Sequence, residues 1–175
     1  MAEDCFALFG LAPAFGLDMA ALADRYRALA GAVHPDRFVG APVREQRLAQ
    51  QRTADLNDAW QTLKDPVRRA RHLLALQGHE LPEEATVQDP EFLQQQMAWR
   101  EELETLRDTG DRAGLVAFRH RLGAARQALE AAFSAAWSQS GQPLLAERLV
   151  RRMQFLARLE QELRRLDEQL DENED

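Results

Sequence analysis

A histidine and an aspartate flank a single proline in residues 33–38, VHPDRF. An imidazole next to a carboxylate is a common arrangement in general acid–base and nucleophilic sites, so His34 and Asp36 are the first candidates for chemistry. No nucleophile or glycine-rich oxyanion loop accompanies them, and the sequence holds no phosphate-binding motif. We therefore expect no catalysis at this segment and predict that the protein is not an enzyme.

Metal binding is the next chemistry to consider. The four histidines, at positions 34, 72, 79 and 120, show no metal-ligand spacing, and no HExxH or CxxC motif occurs. The single cysteine, Cys5, excludes an internal disulfide and a cysteine-rich metal site. We predict that the protein uses no metal and no cofactor.

Charge is divided unevenly along the chain. Residues 1–76 hold ten basic and nine acidic side chains, whereas residues 77–175 hold twelve basic and twenty acidic ones. The acidic second half argues against nucleic acid as a partner, because phosphate binding requires a positive field. The first ten residues carry no basic side chain, and no apolar run is long enough to span a bilayer. We expect a soluble, cytoplasmic protein without a membrane partner.

Helical patterns lie on both sides of the corner at residues 34–36. Asp18 is a suitable N-cap for the first long helix, and Pro35 ends it, because the residue before a proline is pushed out of the α region. The apolar face of this helix consists of Leu22, Tyr26, Leu29 and Val33. The face of the next helix, which runs to residue 65, consists of Leu48, Leu56, Trp60 and Leu63. Two long helices joined by a short loop pack antiparallel, so the corner is expected at the exposed tip of a hairpin.

Three further helices are predicted after residues 77–89, a polar segment without periodicity that we interpret as a linker. Their apolar residues step by three and four over several heptads, which is typical of a helical bundle. These residues are Phe92, Gln96, Trp99, Leu103 and Leu106 in the first helix, Leu115, Phe118, Leu122, Ala125, Leu129 and Ala132 in the second, and Leu145, Leu149, Leu156, Leu159, Leu163, Leu166 and Leu170 in the third. We therefore predict an all-α protein, with an N-terminal helical hairpin followed by a C-terminal three-helix bundle over residues 90–175.

Two features of these helices suggest recognition of partners. Pro35 fixes one dihedral of the corner, so the flanking imidazole and carboxylate are held in a defined relation before binding. In the bundle, Leu93 and Met97 fall on the outward side of their helix, together with the carboxylate of Glu101. The alternatives are a simple helix stop at the corner and a wider core stripe in the bundle. Phe155, at the edge of its stripe, is expected to be half exposed.

The N-terminal pattern resembles the J-domain, through which co-chaperones stimulate ATP hydrolysis by DnaK-family chaperones. The segments that carry the resemblance are FALFGL, LADRYRALAGAVHPDRF and TADLNDAWQTLKDPVRRARHLL. The resemblance implies a J-domain over residues 1–76 whose tripeptide His34, Pro35 and Asp36 stimulates the chaperone. It also implies chaperone docking through Arg25, Arg27 and Arg37.

The C-terminal segments DPEFLQQQMAWREELETL and RRMQFLARL resemble the second domain of the HscB family, the J-proteins of iron–sulfur cluster biogenesis. The resemblance implies two partners, an HscA-type chaperone of the DnaK family and an IscU-type scaffold protein on which clusters are built. The family's scaffold-contact positions correspond to Leu93, Gln94, Met97, Ala98, Glu101, Thr105 and Phe155. Gln94, Ala98 and Thr105 depart from the apolar or acidic side chains of relatives, so we expect a contact led by the apolar residues.

Two other functions stay open at this point. A general J-protein would deliver unfolded clients, although the chain lacks the glycine- and phenylalanine-rich segment expected for one. A helical assembly protein would use its heptads for self-association. The combination of both resemblances favours a co-chaperone that joins the scaffold to the chaperone.

Overall fold

The computed structural model describes residues 4–81, 89–138 and 142–172, and every regular element in these ranges is a helix. The predicted all-α fold is confirmed. The chain divides into two compact units, Met1–Glu80 and Leu81–Asp175, called here the N-terminal and C-terminal units. Among the described residues, no helix is long and apolar enough to cross a membrane. Most of the predicted linker, residues 82–88, lies outside the described residues.

In its described residues, the N-terminal unit consists of four helices and one 3-10 turn. They are α1 (Cys5–Leu8), α2 (Met19–Val33), the turn Pro35–Phe38, α3 (Val43–Lys64) and α4 (Pro66–Leu76). Asp18 caps α2 as predicted, because its side chain accepts hydrogen bonds from the N–H groups of Ala20 and Ala21, both at 3.0 Å. Helix α2 ends at Val33, immediately before the corner, which confirms the predicted stop at Pro35.

Helices α2 and α3 pack on each other with α1 and α4 around them. The largest fully buried residues of this unit are Phe6, Leu22, Leu63, Leu73 and Leu74. The prediction that Leu48 faces the core is wrong, because the residue is 48% exposed. Ala49 takes the inward position instead. It precedes Leu56 and Leu63 by seven and fourteen residues, so the three lie on one helix face, and Leu48 lies about 100° away from it.

The C-terminal unit is a bundle of α5 (Pro90–Thr109), α6 (Arg112–Ser138) and α7 (Pro143–Glu172). Gly110 ends α5 in the left-handed conformation, with φ of 64°, a region that glycine adopts without a steric cost. The core cluster is formed by Phe92, Leu103, Leu106, Leu115, Phe118, Leu122, Phe155, Leu156, Leu159, Leu163 and Leu166. Ala132 and Leu145 are exposed, contrary to prediction, since Phe133 and Ala146 take the buried positions beside them.

Candidate partner-binding surfaces

The corner is an exposed, hydrogen-bonded turn. His34 has an extended backbone, with φ of −57° and ψ of 129°, and Pro35 opens the 3-10 turn. The side chains of His34 and Asp36 are 56% and 85% exposed. The backbone N–H of Arg37 donates to the His34 carbonyl at 3.0 Å, which closes the turn. The tripeptide is therefore accessible and locally fixed.

The imidazole of His34 is oriented by its neighbour. Its Nδ1 accepts a hydrogen bond from the backbone N–H of Asp36 at 3.3 Å and lies 3.5 Å from the Asp36 carboxylate. A neutral ring that accepts at Nδ1 carries its proton on Nε2. The corner thus offers a partner one N–H donor on the ring and one carboxylate acceptor, both held by the same short turn. This geometry suits recognition of a partner's polar groups.

The three arginines predicted to dock the chaperone all have contacts within their own unit. Arg25 Nη1 donates to the carbonyls of Phe9 and Gly10, at 2.8 Å and 3.4 Å. Arg27 forms an ion pair with Asp24, four-fifths of a turn earlier on α2. Arg37 Nη1 donates to the carbonyl of Gly31 at 3.3 Å. Docking through these guanidinium groups has to compete with the existing contacts, and their docking role stays a prediction.

A second basic surface, which was not predicted from the sequence, lies on the first half of α3. Arg44, Arg47, Leu48 and Arg52 are all exposed, and their spacing places them on one side of the helix. Within the described part of the chain, no ion pair occupies the three guanidinium groups. We call these four residues the α3 face. The spacing of the arginines was readable in the sequence, but assigning Leu48 to the core hid the face.

The outward pair predicted on α5 is confirmed as exposed. Leu93 and Met97 are 50% and 64% exposed, one turn apart. Gln94, Ala98, Glu101, Glu104 and Thr105 are also exposed, so the apolar pair has carboxylates on one side. The Thr105 hydroxyl donates to the carbonyl of Glu101 at 2.9 Å and is thereby occupied within the helix. We call the surface formed by Leu93, Gln94, Met97 and Glu101 the α5 face.

The prediction that Phe155 is half exposed is wrong, because only 9% of the residue is exposed. Its ring stacks on Trp99 with centroids 6.2 Å apart, meets Phe92 edge-on at 5.6 Å, and lies under the Arg100 guanidinium at 5.7 Å. The physical reason is that α5 and α6 pack on adjacent sides of α7, so the neighbouring side chains of Phe155 and Leu156 both point into contacts. Phe155 therefore supports α5 from beneath.

A partly buried ion pair fixes the beginning of α5. Asp89 caps the helix by accepting from the Phe92 N–H at 3.3 Å and also pairs with Arg152 of α7. The hydrogen bond from the Arg152 guanidinium holds the pKa of the Asp89 carboxyl below its usual value. Arg152 also lies over the Phe92 ring, 5.0 Å from its centroid. The turn that carries Leu93 is thus tied to the neighbouring helix.

Among the described residues, none of these three surfaces has the components of a metal site. The described ranges contain no group of three histidine, cysteine or acidic side chains placed to hold a metal ion.

An open, largely apolar cleft of about 440 Å³ lies between the three helices of the bundle, with Trp99, Leu129 and Arg152 in its lining. The groups available at the corner, the α3 face and the α5 face are those of protein–protein contacts.

Comparison with known proteins gives a consistent result over nearly the whole chain. Residues 88–164 match the family model described as the HSCB C-terminal oligomerisation domain. The solved structure of chaperone HscB from Vibrio cholerae is 41% identical, with a TM-score of 0.86, and the match covers 96% of this chain and 99% of that one. The structure of human co-chaperone protein HscB is 27% identical, also with a TM-score of 0.86, over 93% of this chain and 81% of that one.

Proposed function

The chain belongs to the HscB family of co-chaperones, and we propose that it brings an IscU-type scaffold protein to an HscA-type chaperone of the DnaK family and stimulates that chaperone's ATPase. Membership of the family makes the protein a co-chaperone of iron–sulfur cluster assembly. The observation that carries the finer proposal is the presence, in two separate compact units, of two exposed surfaces of opposite character. One is polar and rigid, and the other is apolar.

We assign the chaperone to the corner and the basic residues near it. The Nε2–H of His34 and the carboxylate of Asp36 are the groups that engage the chaperone. The arginines of the α3 face, which have no ion pair among the described residues, attract an acidic patch on the chaperone, and this attraction raises the association rate more than the final affinity. Arg25, Arg27 and Arg37 contribute further positive charge while they retain contacts in their own unit.

We assign the scaffold to the α5 face. Leu93 and Met97 provide the apolar centre that a partner can desolvate, and Glu101 lies at its polar rim. Gln94 adds a neutral amide where relatives carry an apolar or acidic group, so apolar contact dominates over charge. Phe155 contributes indirectly, because its packing under Trp99 keeps α5 in place.

The proposed mechanism requires no chemical step on this chain. The C-terminal unit holds the scaffold while the corner engages the chaperone, so the scaffold reaches the chaperone at a high effective concentration. Neither contact then needs to be tight by itself. ATP hydrolysis takes place on the chaperone, which closes on the scaffold and favours transfer of the cluster. The iron–sulfur cluster is cargo of the scaffold.

Scaffold binding is tested by titration calorimetry with the scaffold protein of the same organism. The Leu93→Ala/Met97→Ala variant should weaken binding about 10- to 100-fold, because two exposed anchor residues are truncated. Leu144→Ala is the matched control, since Leu144 is also exposed but lies at the start of α7. Equal binding by the double variant and the wild type would remove the α5 face from the proposal.

Chaperone stimulation is tested by the steady-state ATPase rate of the HscA-type chaperone. His34→Gln should reduce the rate to that of the chaperone alone, because glutamine does not reproduce the ring that the turn orients. His120→Gln, at an exposed histidine of α6, should leave stimulation unchanged. Full stimulation by the His34 variant would mean that the corner is only a turn.

A further inference from the structure

The carboxyl-terminal end of α2 is capped by side chains that come from beyond the corner. The last four carbonyls of an α-helix have no partner within the helix. Here α2 ends in residues 30–33, and Pro35 prevents the usual glycine cap from following. The carbonyl of Gly31 accepts from Arg37 Nη1 at 3.3 Å, and the carbonyl of Val33 accepts from the Thr53 hydroxyl at 3.2 Å.

Thr53 joins the two long helices at the corner. Its hydroxyl has one proton and two acceptors, the Val33 carbonyl of α2 at 3.2 Å and the Ala49 carbonyl of its own helix at 2.8 Å. The bond to Ala49 is the ordinary contact of a helical threonine and positions nothing outside α3. The contact with the Val33 carbonyl is the longer of the two, and it reaches the peptide group that leads directly into His34. The orientation of this peptide group sets the position from which the His34 side chain extends.

Arg37 closes the same end of the helix from the other side. Its guanidinium has five N–H donors, and one of them reaches back six residues to Gly31. The remaining donors are free to meet the chaperone, so a docking role and a capping role are compatible. Arg37 is exposed, whereas Thr53 is half-buried between the helices and less accessible to a partner. Thr53 is therefore the residue at which a positioning role can be isolated.

We propose that Thr53 is a positioning residue for the corner, acting through the Val33 carbonyl to hold His34 in the orientation that stimulates the chaperone. The proposal rests on the function assigned to the corner above. Without the bond, the peptide between Val33 and His34 rotates more freely, and a smaller fraction of bound co-chaperone presents the imidazole correctly. Docking through the surrounding charges continues, so the amplitude of stimulation changes more than the affinity.

The test compares Thr53→Val, which keeps the shape but removes the hydroxyl, with Thr53→Ser, which keeps the hydroxyl. The chaperone's ATPase rate is measured against the concentration of full-length co-chaperone. Thr53→Val should lower maximal stimulation about three- to tenfold, the scale of one lost hydrogen bond, with the half-saturating concentration within about twofold of wild type. Thr53→Ser should restore stimulation. Thr62→Val, nine residues further along α3, is the matched control.

Hydrogen exchange provides a second measurement that does not depend on the chaperone. The backbone N–H of Arg37 donates to the His34 carbonyl, so its exchange reports whether the turn is closed. Thr53→Val should accelerate exchange at this amide, and Thr62→Val should not. Unchanged exchange together with unchanged maximal stimulation would overturn the positioning role. A higher half-saturating concentration with full maximal stimulation would also overturn it, because Thr53 would then be a contact residue.

His34→Gln separates this proposal from the assigned function. If His34→Gln loses stimulation and Thr53→Val keeps it, the corner functions without Thr53, and only the positioning role fails. If both variants keep stimulation, the function of the corner itself fails. Scaffold binding by calorimetry should be the same for both variants, because neither residue lies in the C-terminal unit.

Discussion

The corner and the α5 face differ in what their functional side chains do for the fold. At the corner, His34 accepts from a neighbouring backbone group and Arg37 caps a helix end, so both side chains also serve local structure. On the α5 face, Leu93 and Met97 are exposed by half or more. Recognition and stability are therefore linked at the corner and separable on the α5 face.

The difference follows from the kind of contact each surface makes. A polar contact depends on direction, so its donors and acceptors have to be held before the partner arrives. An apolar contact depends on area, so exposed side chains on a well-fixed helix are sufficient. For α5, the fixing is done by residues beneath the face, namely the aromatic cluster around Phe155 and the pair formed by Asp89 and Arg152.

The largest expected effect is a loss of stability on truncation of Phe155, which lies beneath the α5 face. Truncating a buried phenylalanine that packs on two other rings should cost about 3–4 kcal/mol of unfolding free energy, so Phe155→Ala should destabilise the C-terminal unit strongly. Chemical denaturation followed by circular dichroism measures this cost. Leu93→Ala, at an exposed position of the same unit, is the control and should change stability by less than about 0.5 kcal/mol. A cost below about 1 kcal/mol for Phe155→Ala would show that the ring is not part of the core.

How far the sequence determined these surfaces depends on the kind of interaction. The cap at Asp18, the stop at Pro35 and the outward position of Met97 follow from local rules and were predictable. The burial of Phe155 was not, because a single-helix pattern does not reveal that two other helices pack on adjacent sides of α7. The same limit explains the error at Leu48, where a small residue, Ala49, takes the core position.

Side-chain hydrogen bonds were the least predictable part of the candidate site. The sequence predicted Arg25 and Arg37 to be positive charges available for docking, yet each donates a hydrogen bond to a backbone carbonyl in the structure. The carbonyls they reach, at Phe9 and Gly31, are at helix ends, where unpaired acceptors occur. Which long side chain reaches such an acceptor depends on how the helices pack, and periodicity carries no information about it.

A smaller effect is expected for chaperone docking by the basic residues of the N-terminal unit. In the described ranges the arginines of the α3 face form no ion pair, whereas Arg27 on α2 is already paired with Asp24. Replacing Arg44, Arg47 and Arg52 together by glutamate should raise the half-saturating concentration for chaperone stimulation by about tenfold or more at low salt, with less effect at high salt. The concentration dependence of the ATPase rate at two ionic strengths measures this.

Arg27→Glu is the comparison variant for the α3 face. The charge of Arg27 is partly balanced by Asp24. We therefore expect Arg27→Glu to raise the half-saturating concentration by less than the average contribution of one arginine in the triple variant. Neither change should affect scaffold binding by the α5 face. A larger effect from Arg27→Glu than from the triple variant would show that the chaperone docks on α2 and not on the α3 face.

The smallest expected effect distinguishes the two units by pH. In the N-terminal unit, Nε2 of His72 accepts from the backbone N–H of Cys5 at 3.1 Å, and the ring stacks on Phe6. Burial lowers the pKa of His72 from its ordinary value of 6.5, although the charge of Asp4 partly opposes this. As pH falls below about 6.5, the unfolded chain takes up this proton first, so the N-terminal unit loses stability.

The C-terminal unit should respond only at lower pH. The pKa of Asp89 lies below its ordinary value of 3.8, so the stability that it contributes is present above that value and is lost as pH falls through the lowered pKa. Hydrogen exchange at pH 7.5 and pH 5.5, corrected for intrinsic rates, should therefore show faster opening of α1 and α4 at the lower pH and no change in α7. His72→Phe keeps the stacked ring without an acceptor or a titratable proton, so it should remove the difference between the two pH values. If the opening of α4 stays pH-dependent in this variant, another group is responsible, and His72 does not explain the difference in pH dependence between the two units.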